Sequence, residues 1–313
     1  MVPVDPHMVG NVSRSGRFRQ MLAQPSASFL MEAHNGLSAR IVEQAGFEGI
    51  WASGLSIATS LGLRDCNEAS WTQVLDIVEY MADATSIPIV VDGDTGYGNF
   101  NNARMLVRKL CQRHVAAVCL EDKIFPKTNS FIGEEQELAD VAEFCGKIAA
   151  CKDSQSDPNF SVIARVEALI AGKGVNEALD RAHAYAEAGA DAILIHSKKA
   201  DPAEILEFAD RWHHQRPLVV VPTMYYRTPT EVFEKAGVSL VIWANHNMRA
   251  AIVAMRETCR HIATTRSLVG IEEKLPTVKD VFNLMNYDEL FEAERRYLPG
   301  GEPDDEPAAG PRS

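Results

Sequence analysis

Short apolar runs recur along the chain, and a longer stretch with helical spacing of apolar residues follows each of them. The runs IPIVV, AILI, LVVV and LVIW are continuously apolar, which indicates strands that are covered on both faces. Alternation of such strands with helices is typical of a parallel sheet wrapped by helices. We predict eight strands, at Phe29–His34, Gly49–Ser53, Ile89–Asp94, Ala116–Asp122, Ser161–Ala168, Ala192–Ser197, Leu218–Thr223 and Leu240–Asn245.

The number of these units constrains the fold class. Eight strand and helix units in roughly 250 residues match a closed (β/α)8 barrel of the TIM type, an α/β fold. The helix between the third and fourth strands is predicted to have one apolar face, formed by Ala103, Leu106, Val107, Leu110 and Cys111. An open doubly wound sheet is the main alternative, but the sequence has no GxGxxG motif between a strand and a helix.

Two end segments lie outside the repeat. We expect the barrel to occupy residues 1–275, with a short leading helix within its first 25 residues or so. Residues 276–299 are predicted to form one or two helices, whose apolar positions need a partner subunit to pack against. Residues 300–313 combine proline, glycine and acidic residues without an apolar pattern, so we expect them to be disordered.

The charge balance and cysteine content exclude several classes of protein. The chain has 43 Asp and Glu against 31 Lys and Arg, a formal net charge of −12 without a long basic run, unlike a nucleic-acid-binding protein. No apolar run reaches the roughly 18 residues of a spanning helix, and the first residues lack a signal peptide's apolar centre, so we expect a cytoplasmic protein. The 6 cysteines lack CxxC spacing, which favours reduced thiols over disulfides or a zinc site.

Polar residues stand at the ends of the predicted strands. The carboxyl ends of barrel strands converge on one face, so residues that are distant in sequence become neighbours there. An apolar strand gains no stability from ending in this way, and these residues are therefore candidates for a functional site. They are Glu32, His34, Asn35, Ser53, Gly54, Asp92, Gly93, Asp94, Glu121, Asp122, Lys123, Arg165, Glu167, His196, Ser197, Lys198, Thr223, Asn245 and His246.

Four acidic residues are expected near one point of this face: Asp65, Asp92, Asp94 and Glu121. Unpaired carboxylates at close range repel one another and raise one another's pKa, so a bound cation is the natural resolution. Oxygen ligands without His or Cys favour Mg²⁺ over Mn²⁺ or Ca²⁺. The structural alternative is that each acid caps a helix or forms an ion pair with Lys123, Lys127 or Arg165.

Arg165 and His196 are candidates for binding an anionic substrate. Arg165 lies in the apolar strand VIARVEA, where a guanidinium is costly unless it pairs, and it suits a carboxylate or a phosphoryl group. Its structural alternative is an ion pair with Glu167 or Glu121, and the alternative for His196 is an ordinary core residue. The Ser53–Gly54–Leu55 turn offers backbone N–H groups to an anion, although it could equally be an ordinary turn.

The stretch EDKIFPKTNSFIGEEQELAD, after the fourth strand, is the longest polar loop of this face. Long loops at a catalytic face often act as lids that exclude water. Lys127 and Asn129 would then bring a positive charge and an amide over the substrate. A solvated loop without function is the alternative.

Seven ordered segments carry a family resemblance: WASGLSIATSLGLRDCNEASW, VVDGDTGYGN, EDKIFPKTNS, ARVEALIAG, ADAILIHSKKADP, VVVPTMYY and VIWANHNMRA. Between about residue 18 and residue 299, the chain resembles the phosphoenolpyruvate mutase family of the isocitrate lyase and phosphoenolpyruvate mutase superfamily. The resemblance implies an α/β barrel that exchanges its eighth helix with a neighbouring subunit, in homodimers or homotetramers. That partner would cover the apolar positions of residues 276–299.

The resemblance also implies roles for individual residues. Asp92 resembles a direct Mg²⁺ ligand, and Asp65, Asp94 and Glu121 resemble residues that hold the ion largely through water. The catalytic set that it implies is Asp65, Lys127, Asn129, Arg165 and His196. The substrate-binding set is Trp51, Ser53, Gly54 and Leu55.

Within the superfamily, the loop after the fourth strand separates the reactions. Lyases that cleave C–C bonds have a Lys-Cys-Gly-His type of motif, whereas this chain has Lys127-Thr128-Asn129-Ser130. The resemblance therefore implies the Mg²⁺-dependent interconversion of phosphoenolpyruvate and phosphonopyruvate, the first step of phosphonate biosynthesis. Phosphonopyruvate hydrolase, in which this Asn is replaced, and carboxyphosphoenolpyruvate mutase are the alternatives. A non-catalytic binding barrel is the alternative from a different class.

Three further expectations follow from the resemblance. The family commonly has Ala at the position of Gly93 and Gly at that of Ala52, and the loop is slightly shorter after Ser130, which could affect closure. Transfer could be direct, or it could pass through a phosphoenzyme at Asp65 or His196. Because the equilibrium favours phosphoenolpyruvate, a phosphonopyruvate decarboxylase is the expected pathway partner.

Overall fold

A computed structural model of the chain describes residues 8–9, 12–132 and 137–298. Its strands are β1 (Met8–Val9), β2 (Val12–Ser13), β3 (Ser28–Ala33), β4 (Gly49–Ala52), β5 (Ile89–Asp92), β6 (Ala117–Glu121), β7 (Ser161–Val166), β8 (Ala192–Ile195), β9 (Leu218–Val220) and β10 (Val238–Trp243). Its α-helices are α1 (Arg14–Ala23), α2 (Gly36–Gln44), α3 (Gly54–Ser60), α4 (Trp71–Ala84), α5 (Phe100–Gln112), α6 (Val141–Ser154), α7 (Gly174–Glu187), α8 (Ala203–Trp212), α9 (Thr230–Lys235), α10 (His246–Thr265), α11 (Val278–Leu284) and α12 (Tyr287–Tyr297), with a 3-10 turn at Glu272–Lys274.

Strands β3 to β10 close into a barrel in which every neighbouring pair is parallel. The order around the barrel follows the order along the chain, and β10 pairs with β3 to complete the ring. The prediction of an α/β (β/α)8 barrel is therefore confirmed. The predicted strands continue past the observed carboxyl ends, for example to Asp94 where β5 ends at Asp92, because their last residues belong to the loops of the polar face.

The described residues contain two buried apolar clusters, and side chains inside the barrel form one of them. Leu30, Val90, Ile163 and other inward residues of the strands pack together with Phe18, Met21 and Leu22 of α1. Phe18 has no exposed surface. Since α1 precedes the first barrel strand and packs on this cluster, it closes the amino-terminal end of the barrel. The leading helix predicted near the amino terminus is α1, and the short β1–β2 hairpin before it was not predicted.

The second cluster lies between the strands and the surrounding helices. Helix α5 contributes the predicted face, because Ala103, Leu106, Val107, Leu110 and Cys111 are all buried. Burial of each leucine contributes about 1.5–3 kcal/mol relative to exposure. Asn99 caps the start of α5 through a hydrogen bond from Asn101 N. Gly189 lies just after the C-cap of α7, with a φ of 106° that suits glycine.

The chain divides into two compact units, residues 1–251 and 252–313. In the second unit, α11 and α12 have no buried residues, and Phe282 and Phe291 are among their exposed apolar side chains. Among the described residues, no helix combines the length and the apolar character needed to cross a membrane. The predicted disordered tail, residues 300–313, lies outside the described residues.

Candidate active site

The predicted site residues gather at the carboxyl ends of the strands, around a pocket of about 500 Å³ that includes its open mouth. The side chains that line the pocket are Trp51, Ser53, Leu55, Asp65, Asp92, Lys127, Asn129, Ser130, Phe131, Arg165, His196, Val221, Thr223, Ala244 and Asn245. Nine of the twelve predicted site residues are in this lining, and the other three, Gly54, Asp94 and Glu121, are buried.

The turn between β4 and α3 places backbone N–H groups against the acidic residues. Ser53 caps α3, and its Oγ accepts a hydrogen bond from Ser56 N at 3.3 Å. Gly54 N donates to Asp92 Oδ2 at 3.2 Å. A Cβ at position 54 would lie 3.2 Å from Asp92 Oδ2 and also from Asp94 Oδ1. Glycine is therefore the residue that lets this turn approach both carboxylates closely.

An ammonium group lies between two of the carboxylates. Lys127 Nζ is 2.6 Å from Asp94 Oδ1 and 3.0 Å from Asp65 Oδ1. Asn129 Nδ2 donates to Asp65 Oδ2 at 2.5 Å, so the predicted lid loop contacts the acidic residues directly. Asn67 holds this arrangement from the other side, donating to Asp94 Oδ2 at 2.9 Å and accepting from Lys127 N at 2.7 Å.

The pKa values in this cluster move in opposite directions. Burial, reinforced by Asp92, Asp65 and Glu121, raises the pKa of Asp94 to about 7, even though Lys127 opposes the shift. Burial also acts to raise the pKa of Asp65, but Lys127 and the hydrogen bond from Asn129 outweigh it and lower that pKa. Burial opposes the charge on Lys127, and the surrounding carboxylates overcome it, so its pKa rises well above the usual range. The four carboxylates thus have more negative charge than Lys127 alone can balance.

Glu121 is the most enclosed of these acids. It is 1 % exposed, and neither of its carboxylate oxygens has a hydrogen-bond partner among the described residues. Its nearest cations are more distant, with Arg165 Nη2 at 3.4 Å and Lys123 Nζ at 3.8 Å. Burial raises its pKa above the usual range.

A divalent cation fits this set of oxygen donors, because it would lower the pKa of Asp94 and satisfy the orphaned oxygens of Glu121. Within residues 12–132 and 137–298, however, no three His, Cys, Asp or Glu side chains are grouped so as to hold a metal ion. The four carboxylates were expected to lie near one point. In the structure, Lys127 forms ion pairs with Asp65 and Asp94, and such ion pairs are the structural alternative stated above for these two acids.

A second network surrounds Arg165, and Glu167 is at its centre. Arg165 Nε donates to Glu167 Oε1 at 2.5 Å, and His196 Nδ1 lies 2.8 Å from the same oxygen. Burial opposes the negative charge of Glu167, but Arg165 and His196 outweigh it and hold its pKa well below the usual range. Burial and the nearby Arg165 lower the pKa of His196. His196 Nδ1 also lies 2.9 Å from Arg165 Nη2, so Arg165 and Glu167 both contact this nitrogen, which leaves Nε2 for a ligand.

The loop after β6 is tied to this network through Ser130. Its Oγ donates to Glu167 Oε2 at 2.7 Å and accepts from Lys123 Nζ at 2.8 Å and Arg165 Nη2 at 3.0 Å. Phe131 packs edge-on against His196, with 5.6 Å between ring centroids. The described part of the loop, up to residue 132, thus covers the pocket on the Arg165 side.

Four residues that take part in the hydrogen bonds of this site were not in the predicted set: Asn67, Lys123, Ser130 and Glu167. Lys123 and Glu167 were among the strand-end candidates, but the only specific role considered for them was that of ion-pair partners. Ser130 follows the Lys-Thr-Asn motif directly. Asn67 has no strand-end signal, and its left-handed φ of 60° depends on the tertiary structure.

A buried ion pair fixes the loop ends behind the site. Asp122 directly follows β6 and has no exposed surface. Its Oδ2 accepts from Tyr185 Oη at 2.7 Å and from Arg181 Nη1 at 3.1 Å, and its Oδ1 accepts from Glu167 N at 2.8 Å. Helix α7 therefore holds in place the residues that adjoin Glu121 and the backbone of Glu167.

Comparison with known proteins agrees with this geometry. Residues 18–263 match the family model described as phosphoenolpyruvate phosphomutase. The chain is 57% identical over 286 residues to the phosphoenolpyruvate phosphomutase of Tetrahymena pyriformis, covering 91% of this chain and 95% of that protein.

Two solved structures are also similar. The crystal structure of phosphoenolpyruvate phosphomutase from Streptomyces platensis subsp. rosaceus superimposes with a TM-score of 0.89 at 46% identity, covering 91% of this chain and 99% of that one. A phosphonopyruvate hydrolase, solved in complex with oxalate and Mg²⁺, superimposes with a TM-score of 0.86 at 40% identity over the same shares. The chain therefore belongs to the phosphoenolpyruvate phosphomutase family.

Proposed function

We propose that this protein interconverts phosphoenolpyruvate and phosphonopyruvate by intramolecular phosphoryl transfer. The observation that carries the proposal is the position of Asn129, whose amide reaches the acidic cluster from the loop beside the Arg165 network. The loop sequence lacks the Cys and His of the lyase motif, and it retains the Asn whose replacement is typical of the hydrolases. The relatives named phosphoenolpyruvate phosphomutase support the same choice.

The proposal includes Mg²⁺ as the cofactor. Asp92 would ligate the ion directly, with Asp65, Asp94 and Glu121 acting largely through water. When bound, the ion supplies positive charge that holds and polarises the oxygens of the three-carbon fragment. The raised pKa of Asp94 and the unpaired oxygens of Glu121 support a cation here, as does the complex of the related hydrolase with Mg²⁺.

The protein's own residues have the task of positioning both fragments. Phosphoryl transfer has a loose transition state, so catalysis depends on orientation and on stabilisation of charge. The Ser53–Gly54–Leu55 turn, beside Trp51, would hold the carboxylate of the substrate. Arg165 and His196 Nε2 would hold the phosphoryl group, with Glu167 balancing their charge.

The loop would keep water away from the transferring group. Asn129 would contact the phosphoryl group while the three-carbon fragment turns its C3 atom toward phosphorus, and Lys127 would neutralise charge beside it. Any water that entered would divert the phosphoryl group to inorganic phosphate. Closure of the loop thus decides between a mutase and a hydrolase.

Phosphorus NMR of phosphonopyruvate with the enzyme and Mg²⁺ tests the proposal in one tube. We expect the phosphonate signal to be replaced by that of phosphoenolpyruvate. Accumulation of inorganic phosphate with pyruvate would instead identify a hydrolase, and an unchanged spectrum would contradict an enzymatic role for this substrate.

Asn129→Ala tests the role of the loop. We expect the variant to release more inorganic phosphate per phosphoenolpyruvate formed, because it opens a path for water. Thr128→Ala is the matched control, since Thr128 is an exposed neighbour outside the pocket lining. An Asn129→Ala enzyme with an unchanged product ratio would contradict the assigned role.

The assembly and the pathway partner are also part of the proposal. Exchange of the eighth helix between subunits would cover the exposed apolar side chains of α11 and α12. A phosphonopyruvate decarboxylase would draw the unfavourable equilibrium forward without binding to the enzyme.

A further inference from the structure

Asn245 lies at the carboxyl end of β10, where it lines the same pocket as Asp92, Arg165 and His196. It is only 8 % exposed. Strand β10 stands opposite β6 in the eight-stranded ring, so Asn245 belongs to the wall that faces Glu121 across the barrel. Val221, Thr223 and Ala244 are the pocket residues nearest to it in the order of the strands.

The side chain of Asn245 is not used to stabilise the fold. An asparagine just before a helix usually caps the first turn through its side-chain oxygen. Here the backbone oxygen of Asn245 accepts from Arg249 N at 3.2 Å, while its side-chain Oδ1 is buried and has no hydrogen-bond partner among the described residues. A buried amide without a partner is unfavourable, so a structural role does not explain its presence.

The charges around the pocket indicate what this amide could bind. An anionic ligand is repelled from the pocket wall that contains Asp65 and Asp92 unless a cation intervenes. No carboxylate among the pocket-lining residues belongs to β8, β9 or β10. The nearest acid of the adjacent strand, Glu32, is engaged by His34 Nδ1 and by Met248 N. Rotation of the amide by half a turn exchanges Oδ1 with the donor Nδ2.

We propose that Asn245 is a substrate-binding residue, whose Nδ2 donates a hydrogen bond to an anionic oxygen of the substrate. The inference rests on the proposed function, and it adds a contact on the wall opposite the carboxylates. Phosphoenolpyruvate and phosphonopyruvate carry such oxygens on both the carboxylate and the phosphorus. Either group could be the acceptor, and the two can be separated by the choice of ligand.

The test compares Asn245→Ala with wild type in Mg²⁺ buffer, by the KM for phosphonopyruvate and by calorimetric titration with oxalate, which has no phosphoryl group to transfer. We expect the KM for phosphonopyruvate to rise at least tenfold in the variant. Loss of affinity for oxalate as well would assign the contact to the carboxylate, and an unchanged oxalate affinity would assign it to the phosphorus oxygens. An unchanged KM together with an unchanged oxalate affinity would overturn the inference.

Two further variants control for folding. Asn247→Ala removes an amide of the same kind that donates only to Glu32 O at 2.8 Å, and we expect its KM and its oxalate affinity to match wild type. Asn245→Asp preserves the shape of the side chain but repels an anion, so it should weaken binding even if Asn245→Ala fails to fold. If the Asn245→Asp protein keeps the KM and the oxalate affinity of wild type, the inference is likewise overturned. Failure of the proposed function is distinguishable, because wild type would then produce no phosphoenolpyruvate.

Discussion

Replacement of Arg181 by methionine would remove a cation from a fully buried carboxylate. Arg181 Nη1 lies 3.1 Å from Asp122 Oδ2, and it also donates to Ala139 O at 3.0 Å. Methionine keeps an unbranched apolar chain as far as the ε position, so the change removes the guanidinium with its charge and hydrogen bonds. Asp122 would keep the hydrogen bond from Tyr185 at 2.7 Å.

The expected loss is large, because one partner of a buried pair remains without its counter-charge. Breaking such a pair typically costs about 3–5 kcal/mol of the free energy of unfolding. Tyr185→Phe removes the hydrogen bond to the same carboxylate and the one that Tyr185 Oη accepts from Arg181 Nη1 at 3.1 Å, and we expect a loss of about 1.5–3 kcal/mol. Adding Asp122→Asn to Arg181→Met should recover part of the larger loss, since the buried group is then neutral.

The pH dependence of stability gives a sharper test of the same idea. Burial raises the pKa of Asp122 above its usual value, so the native state takes up this proton before the unfolded chain does. Without Arg181, that pKa should rise further. The penalty of Arg181→Met is therefore fully present only above the native pKa of Asp122 in the variant, and it should shrink as the pH falls through that raised pKa.

Urea unfolding, followed by tryptophan fluorescence at several pH values between 5 and 8, measures both effects. A loss below about 1 kcal/mol for Arg181→Met, as for a surface ion pair, would refute the reasoning. So would a loss that does not change between these pH values, because the carboxylate would then not be the source of the penalty.

Three further predictions concern other parts of the chain. Gly93→Ala should lower the free energy of unfolding by about 1–3 kcal/mol in urea titrations, because the new Cβ would lie 2.6 Å from Val118 Cγ2 and 3.1 Å from Cys119 O; an unchanged midpoint would contradict the predicted overpacking. An alkylating reagent at pH 8 should modify exposed Cys259 well before buried Cys151, whose pKa is raised by burial to about 12; equal labelling rates in peptide mass spectrometry would argue against this burial. Light scattering should give a multiple of the single-chain mass, and replacing Phe282 and Phe291 of α11 and α12 with serine should reduce that mass; a wild-type monomer would contradict the proposed assembly.

The sequence predicted the barrel well because burial on both faces leaves a strong local signal. Runs such as IPIVV and LVIW cannot be covered except in the middle of a layered fold, and the polar residues after them mark one end of the ring. This logic located Asp92, Arg165 and His196 in one pocket. The strand ends were less predictable, because Gly93 and Asp94 still share backbone hydrogen bonds with Cys119 and Glu121 although they lie past Asp92, the last paired residue of β5.

The sequence alone did not predict which loop residue contacts which carboxylate. The insertion of Lys127 between Asp65 and Asp94 depends on where the loop after β6 lies, which no local pattern specifies. The same is true of Arg181, which meets Asp122 from a helix 59 residues away along the chain. Such pairs are set by tertiary packing, so only a structure could reveal which partner each acid has.

Helix α1 closes the amino-terminal end of the barrel, and this closure determines from which side small molecules reach the pocket. With Phe18, Met21 and Leu22 filling that end, no passage leads through the described part of the barrel to its amino-terminal side, so reactant and product would enter and leave at the carboxyl ends of the strands. The loop residues Lys127, Asn129, Ser130 and Phe131 line the pocket on that side. Substitutions that stiffen them are expected to slow entry and exit alike.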